Sequence, residues 1–484
     1  MGQSHNHWTR SFNEESSLLS GAVVGGGAGP AAIYYNPSSI GEITESKISV
    51  NASLFSFDSY NAQNALGDGI DIKSLNILIE PRFMSVMIKP EKHPEWSLEI
   101  AFLNNENYNV DITQSVDYNI DVLNNLPGEE RYHALFQFSN KYRDDWLGFG
   151  GSWKLNPNFY IGASMFVSIR QLEYRYLIDI EAFPLDSVII DDDFIPFYSA
   201  HYYEMEYVKY TDYRLLWKFG LLYTADRFSI GLNITTPSIG GIYSDYNLVS
   251  REQKQSYISM PESGEPLPDY EIVDYREKKD VFVNSKSPLS IAAGFTYYFQ
   301  EKSKTLYITV EYFAGLDPFR LVQAEESLDI AAGSPIEELP YNEWLTFVGG
   351  AKPVLNAAAG YRWKLKENLM ILGGFRTDFN YRKDYNYDHM TDYNIIRGLD
   401  LDLYHLNGGF SWRILGQDLM IGFQYTLGRA NNQKQYLNLS DPVEYNMTEN
   451  VPLQGTRQNT MKGSYNSLSV YFGATFNIGG GNKN

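Results

Sequence analysis

The 484-residue chain has no cysteine, which excludes a disulfide framework, a thiolate metal site and a cysteine nucleophile. Long apolar runs are missing too. The best of them, residues 18–24, falls far short of the roughly 18–20 apolar residues a transmembrane helix needs. Residues 1–16 are polar and carry no secretory leader core. Basic residues are in the minority, 39 Lys and Arg against 59 Asp and Glu, for a net charge of -20. A nucleic-acid partner, which requires basic surface, is thereby excluded. There is no G-x-S-x-G and no H-E-x-x-H, and a Ser/His pair assembled across strands around His405 has no motif to support it. The chain is read as a non-enzyme. His5-x-His7 lacks a third ligand at metal spacing. Asp191-Asp192-Asp193, with Asp186 nearby, lacks the spacing and glycine of a calcium loop and reads as solvated acidic loop. No metal or other cofactor is expected.

What is present is period-two alternation over most of the chain. Leu419, Ile421, Phe423, Tyr425 and Leu427 share one parity, with Met420, Gly422, Gln424, Thr426 and Gly428 on the other. Leu468, Val470, Phe472, Ala474, Phe476 and Ile478 repeat the pattern near the C-terminus. A soluble sandwich alternates as well, apolar in and polar out. Loop lengths separate the two. Short connections at 90–95, 156–158, 225–227, 300–304, 366–367 and 416–417 alternate with long polar ones at 58–74, 104–130, 183–199, 240–284, 320–352, 384–398 and 430–463. Transmembrane β-barrels have short turns at one end and long loops at the other. Seven long loops and six short turns predict an all-β, closed antiparallel transmembrane barrel of about fourteen strands, with both termini at the short-turn end. Trp96, Trp153, Trp363 and Trp412 each lie beside a short turn on the apolar parity, where an interfacial aromatic girdle belongs. Glu99, Arg170, Glu311, Arg362, Lys364, Arg376, Asp378 and Arg413 fall on the inward parity, available to a polar lumen or to hold a plug.

Residues 18–37 do not alternate. Their Gly27-x-Gly29-x-x-Ala32 matches a loose dinucleotide fingerprint, but Asn36-Pro37 stops any following helix and no βαβ unit follows. The better reading is a compact plug whose small residues permit close backbone packing. Gly25, Gly26, Gly27, Gly29, Asn36 and Pro37 are its candidate residues. The Asn36-Pro37-Ser38 motif ahead of a first strand resembles the FadL family of outer-membrane channels. Gly220-Leu-Leu-Tyr223 leading to Gly231-Leu-Asn-Ile-Thr-Thr-Pro237 resembles it too, as does Ser287-Pro288-Leu289-Ser290-Ile291 leading to Gly294.

The resemblance implies a fourteen-stranded barrel occluded by an N-terminal hatch, with residues 1–45 as hatch segment, 46–479 as barrel and 480–484 as tail. It implies passive uptake of hydrophobic small molecules, long-chain fatty acids above all. It places the chain in the outer membrane of a Gram-negative bacterium, exported with its signal removed. The expected partners are outer-membrane lipids and a hydrophobic ligand. Some relatives are accessory barrels, so a non-transporting scaffold in a secretion or assembly complex, with other outer-membrane subunits as partners, remains the alternative. Phe194, Ile195, Phe197 and Tyr198, with Leu345, Phe347 and Val348, are apolar loop runs and candidate ligand or partner contacts. Leu103, Asn104 and Asn105 interrupt the third strand's alternation and mark a candidate lateral opening.

Overall fold

A computed structural model describes residues 5–124, 126, 128–185, 188–190, 193–195, 197–240, 244–260, 267–299, 303–324, 344–382, 394–398 and 400–477. Among these, no helix is long and apolar enough to cross a membrane. The strands do so instead. Fourteen of them close one antiparallel barrel: β1 (Lys47–Gln63), β2 (Ile72–Ile88), β3 (Trp96–Ile120), β4 (Glu130–Asn156), β5 (Phe159–Pro184), β6 (Phe197–Thr224), β7 (Phe228–Thr235), β8 (Ser290–Phe299), β9 (Lys304–Phe313), β10 (Val354–Lys366), β11 (Leu369–Asp378), β12 (Leu403–Ile414), β13 (Gln417–Gln433) and β14 (Met461–Asn477). Closure is made by β1 on β14, running from Lys47↔Asn477 to Gln63↔Lys462. Closing the sheet pairs the spanning backbone groups that an open sheet would leave as edges in lipid.

The alternation is that of a membrane barrel, apolar outward. On β4, Leu147 and Phe149 are exposed while Trp146 is buried. The same exposed parity carries Phe219 and Leu221 on β6 and Ile421 and Phe423 on β13. The four girdle tryptophans sit at the short-turn end. Trp96 opens β3, and its ring stacks on Trp153 of β4 at 5.5 Å. Trp363 and Trp412 lie within three residues of the ends of β10 and β12.

The long connections are shorter than the sequence pattern suggests. β3 continues to Ile120 and β4 starts at Glu130, so most of 104–130 is strand. Beyond the apolar band the outward face is polar while Val110, Ile112, Tyr132 and Phe136 still face the upper core, so a period-two pattern continues inside what reads as a long polar connection. Residues 240–284 likewise contain a hairpin, Ser244–Met260 with Leu267–Lys279, that adds to the upper part of β6. The lower part of β6 pairs with β7 instead, from Lys218↔Thr235 to Thr224↔Ser229.

Two apolar cores result. The upper one gathers the loops: Leu66, Val122, Leu123, Leu345, Phe347, Leu437, Leu439 and Leu453 pack on the inward aromatics Tyr132, Phe136, Phe138, Tyr174 and Tyr176. The lower one is built by residues 12–43, whose Phe12, Leu18, Leu19, Val23, Ile33 and Ile40 are buried against Phe83, Leu103, Trp146, Phe166, Leu216 and Leu372 of the wall. Each such side chain contributes about 1.5–3 kcal/mol, enough to hold a segment whose only regular structure is two short α-helices, Glu14–Leu18 and Ala32–Tyr35, and two 3-10 turns, Gly29–Ala31 and Pro37–Glu42.

Candidate functional site: the plugged lumen and its wall gap

The plug is fixed by close backbone approach as well as by apolar burial. Gly162 faces Gly220 in register on β5 and β6, and Gly231 faces Gly294 on β7 and β8. A side chain at Gly162 would overlap the Pro37 backbone, at Gly220 the Asn36 side chain, at Gly231 the Val24 carbonyl and at Gly294 the Gly25 backbone. Across the barrel, the register pairs Gly360↔Gly374 and Gly409↔Gly422 receive Leu19 and Leu18. The wall is thus thinned where the plug presses on it. Polar pins complete the fit. Asn36 Nδ2 donates to Leu221 O at 3.1 Å and to Val24 O at 2.8 Å, while its Oδ1 accepts from Ser38. Ser229 Oγ donates to Gly25 O, and Ser152 Oγ to Ser38 O. Gly26, Gly27 and Gly29 adopt positive φ within the plug, conformations open to glycine at little cost.

The inward charges hold the plug more than they solvate a pore. Arg376 donates to Arg10 O and to Ser11 Oγ, and Arg362 pairs with Glu15 at 3.4 Å. Asp378 Oδ1 accepts from the His7 and Trp8 amides, Glu311 from Trp8 Nε1, and Glu99 from the Ile33 amide. Arg170, Lys364 and Arg413 stay outside this set, paired with Asp144, Glu367 and Asp418 respectively. His5 and His7 do not form a metal site. His5 pairs with Asp400, and the His7 ring is stacked between Phe313 and Tyr381. His405 hydrogen-bonds Thr426 within a buried network and has no serine partner there.

Among the described residues, the wall is broken between β2 and β3 beside this plug. β2 and β3 pair only from Ile88↔Leu98 to Phe83↔Leu103; above that, residues 72–82 and 104–120 share no ladder. A bulge lies between Asn104 and Glu106 on β3, and β2 shifts register around Pro81, which lacks an amide to donate. The free edge of β2 turns Leu75, Ile77 and Ile79 outward at 70%, 60% and 71% exposure, against 54% for Leu147 in the paired wall. The gap therefore has an apolar lip. Its inner side is polar. Arg10 of the plug pairs with Glu80 at 2.5 Å and donates to Asn107 O at 3.2 Å, and Asn107 Nδ2 donates to Glu80. The bulged Asn105 bonds Asp144 at 3.2 Å and meets Tyr34 of the plug at 3.4 Å.

Two cavities flank the N-terminal residues Asn6 and Thr9. One, of about 90 Å³, is bordered by Arg82, Glu106, Asn107, Gln424 and Ser469. The other, of about 120 Å³, is bordered by Asn105, Glu106, Arg170, Lys218 and Glu311. Both therefore reach the β3 bulge. Arg82 and Arg376 are buried, with no carboxylate within 4 Å among the described residues, and the Nε of each has no hydrogen-bond partner there. A smaller notch above is apolar, lined by Tyr60, Ile72, Phe136, Phe138 and Tyr176.

Of the other loop residues singled out from sequence, Leu345, Phe347 and Val348 are buried, the first two in the upper core. Tyr198 is half-buried against Tyr257. The side chains of Phe194, Ile195 and Phe197 lie outside the described residues, as do Asp186, Asp191 and Asp192. Sequence reasoning missed Arg10, Glu80 and Arg82. The available signal was Glu80-Pro81-Arg82, a proline between two charges inside a strand.

Fold and site together define a plugged, fourteen-stranded transmembrane β-barrel with an interrupted seam between β2 and β3. No family model and no curated protein matches the chain. Solved structures do. The P. putida toluene transporter TodX is 12% identical, with 97% of this chain and 99% of that one covered, at a TM-score of 0.53. A Pseudomonas aeruginosa FadL homologue is 12% identical, with 98% and 99% covered, at 0.54. A TodX deltaS2S3 mutant, described as a monoaromatic hydrocarbon channel, reaches 0.55 at 12% identity over 97% and 100%. The chain shares the fold of these FadL-type channels.

Proposed function

We propose that the chain is an outer-membrane channel of a Gram-negative bacterium for passive uptake of hydrophobic small molecules with an anionic head, long-chain fatty acids among them. Residues 1–45 would act as hatch and 46–479 as barrel. The observation that carries this reading is the wall gap: an apolar lip outside and two cavities inside meet at the Asn105 bulge. A tail gains about 0.8 kcal/mol per buried methylene on leaving water, and the lip lets it pass sideways into lipid. The cavities are mixed in character, with charged groups beside Tyr60, Leu401 and Leu403 in one and Phe313 and Leu316 in the other, which suits a molecule with an apolar tail and an anionic head better than a plain hydrocarbon. Arg82, buried in the lining of the first cavity without a carboxylate partner among the described residues, is suited to a carboxylate head. The names of the structural neighbours, toluene transporter and FadL homologue, agree with hydrophobic cargo.

The test is uptake of labelled oleate by a Gram-negative host lacking its own fatty-acid channel. Expression of this chain should restore uptake. Deleting Asn105, which straightens β3, should abolish most of it at unchanged surface expression. Arg82→Gln should weaken oleate binding and leave the matching fatty alcohol unaffected. Uptake no better than the empty host sinks the proposal. One observation favours the scaffold reading. The hairpin Ser244–Met260 and Leu267–Lys279 extends the sheet beyond the barrel, and among the described residues its outer strand has an unpaired edge. Such an edge is suited to strand addition by a partner, and a stoichiometric complex on mild detergent extraction would support it.

A further inference from the structure

Above the apolar band, the outer face of β5 and β6 brings three ligand-type side chains together. Asp179 and Glu181 lie two apart on β5 and so share a face. His201 on β6 is the register partner of Glu181. His201 Nε2 sits 2.8 Å from Asp179 Oδ1, and one donor atom from each of the three residues lies within 4.8 Å of the others. Glu181 has no hydrogen-bond or ion-pair partner among the described residues. His133 flanks Glu181 on the other side, but its ring is turned to Asp117 at 3.5 Å.

We propose that Asp179, Glu181 and His201 form a site for a divalent transition ion of the zinc type. An ion with bonds of about 2.0–2.2 Å in a tetrahedral set holds its ligand atoms about 3.4 Å apart, so the His201–Asp179 hydrogen bond at 2.8 Å need open only slightly to admit it. Two carboxylates converging on one face repel each other, and a dication removes that cost while an imidazole completes a chelate on rigid strands. The imidazole favours zinc, nickel or copper over calcium, which prefers oxygen donors alone. Water fills the remaining positions, because the face is open. The ion would clip the last residues of β5 to the first of β6, at the base of the 185–196 connection. This site does not depend on the transport reading.

The experiment uses the full, untagged chain in detergent, stripped with chelator and titrated with zinc chloride by calorimetry. The expected result is one saturable equivalent per chain, with calcium chloride binding more weakly. His201→Ala and Asp179→Asn should each weaken zinc about tenfold or more, while His93→Ala, at an exposed turn on the opposite end, should not. Absence of saturable zinc binding overturns the proposal. So does zinc binding undiminished in both variants, or calcium binding as tight as zinc.

Discussion

Gly231 and Gly294 face each other across two strands and leave room for the Val24–Gly25 backbone. Gly231→Ala puts a methyl where the Val24 carbonyl lies, and nothing flexible is available to yield. The variant should lose about 1–3 kcal/mol of plug docking, seen as faster proteolysis of residues 5–46 with the far-ultraviolet circular dichroism of the barrel unchanged. Gly373→Ala is the control, since its Cβ would meet nothing nearer than 3.5 Å. Equal proteolysis of the two variants would refute the close-packing argument. Gly220, Gly231 and Gly294 stood out in the sequence only through the family-like segments around them. Their shared purpose is a matter of register, since no local pattern says that three glycines from three strands face the same plug segment.

At the scale of elements, the third strand illustrates both what was readable and what was not. The broken alternation at Leu103-Asn104-Asn105 marked the bulge. The loss of pairing with β2 above Phe83 did not show, because it depends on where β2 itself kinks at Pro81. The last long connection, 434–460, folds over the mouth, and Tyr118 and Tyr132 donate to its Leu439 and Leu453 carbonyls. Glu449 anchors that connection. Partial burial by itself would raise its pKa, but the Arg457 hydrogen bond at 2.6 Å and Lys434 at 3.1 Å prevail and hold it below the ordinary carboxylate value. A carboxylate depressed by folding stabilises above its unfolded pKa, about 4.3, and that contribution is lost as pH falls through the folded value. Hydrogen exchange in 434–460 should therefore accelerate below about pH 4, and Glu449→Gln should show the faster exchange already at neutral pH. Exchange independent of both would remove the anchor.

For the whole molecule, the orientation in the bilayer rests on the girdle. Trp96, Trp153 and Trp363 are exposed and Trp412 partly so, all at the short-turn end. In bilayers, lipids brominated near the headgroup should quench tryptophan fluorescence more than lipids brominated at the chain ends. Changing these four residues to phenylalanine should remove that difference, and persistence of it would place the girdle elsewhere.

Strand number, strand direction, the end that carries the short turns and the existence of a non-alternating plug were determined by the sequence by itself. All of these follow from period-two patterning and turn chemistry, which act over a few residues. Tertiary structure alone decided the rest. Closure sets which glycines meet the plug, which inward charges reach it, and that Arg10, distant in sequence from β2 and β3, bridges Glu80 and Asn107. The same holds for Asp179 and His201, which meet only because β5 and β6 continue as a paired ladder past the apolar band. Contacts of this kind are fixed by register around a closed sheet, and a one-residue slip anywhere would turn each of these side chains to the other face.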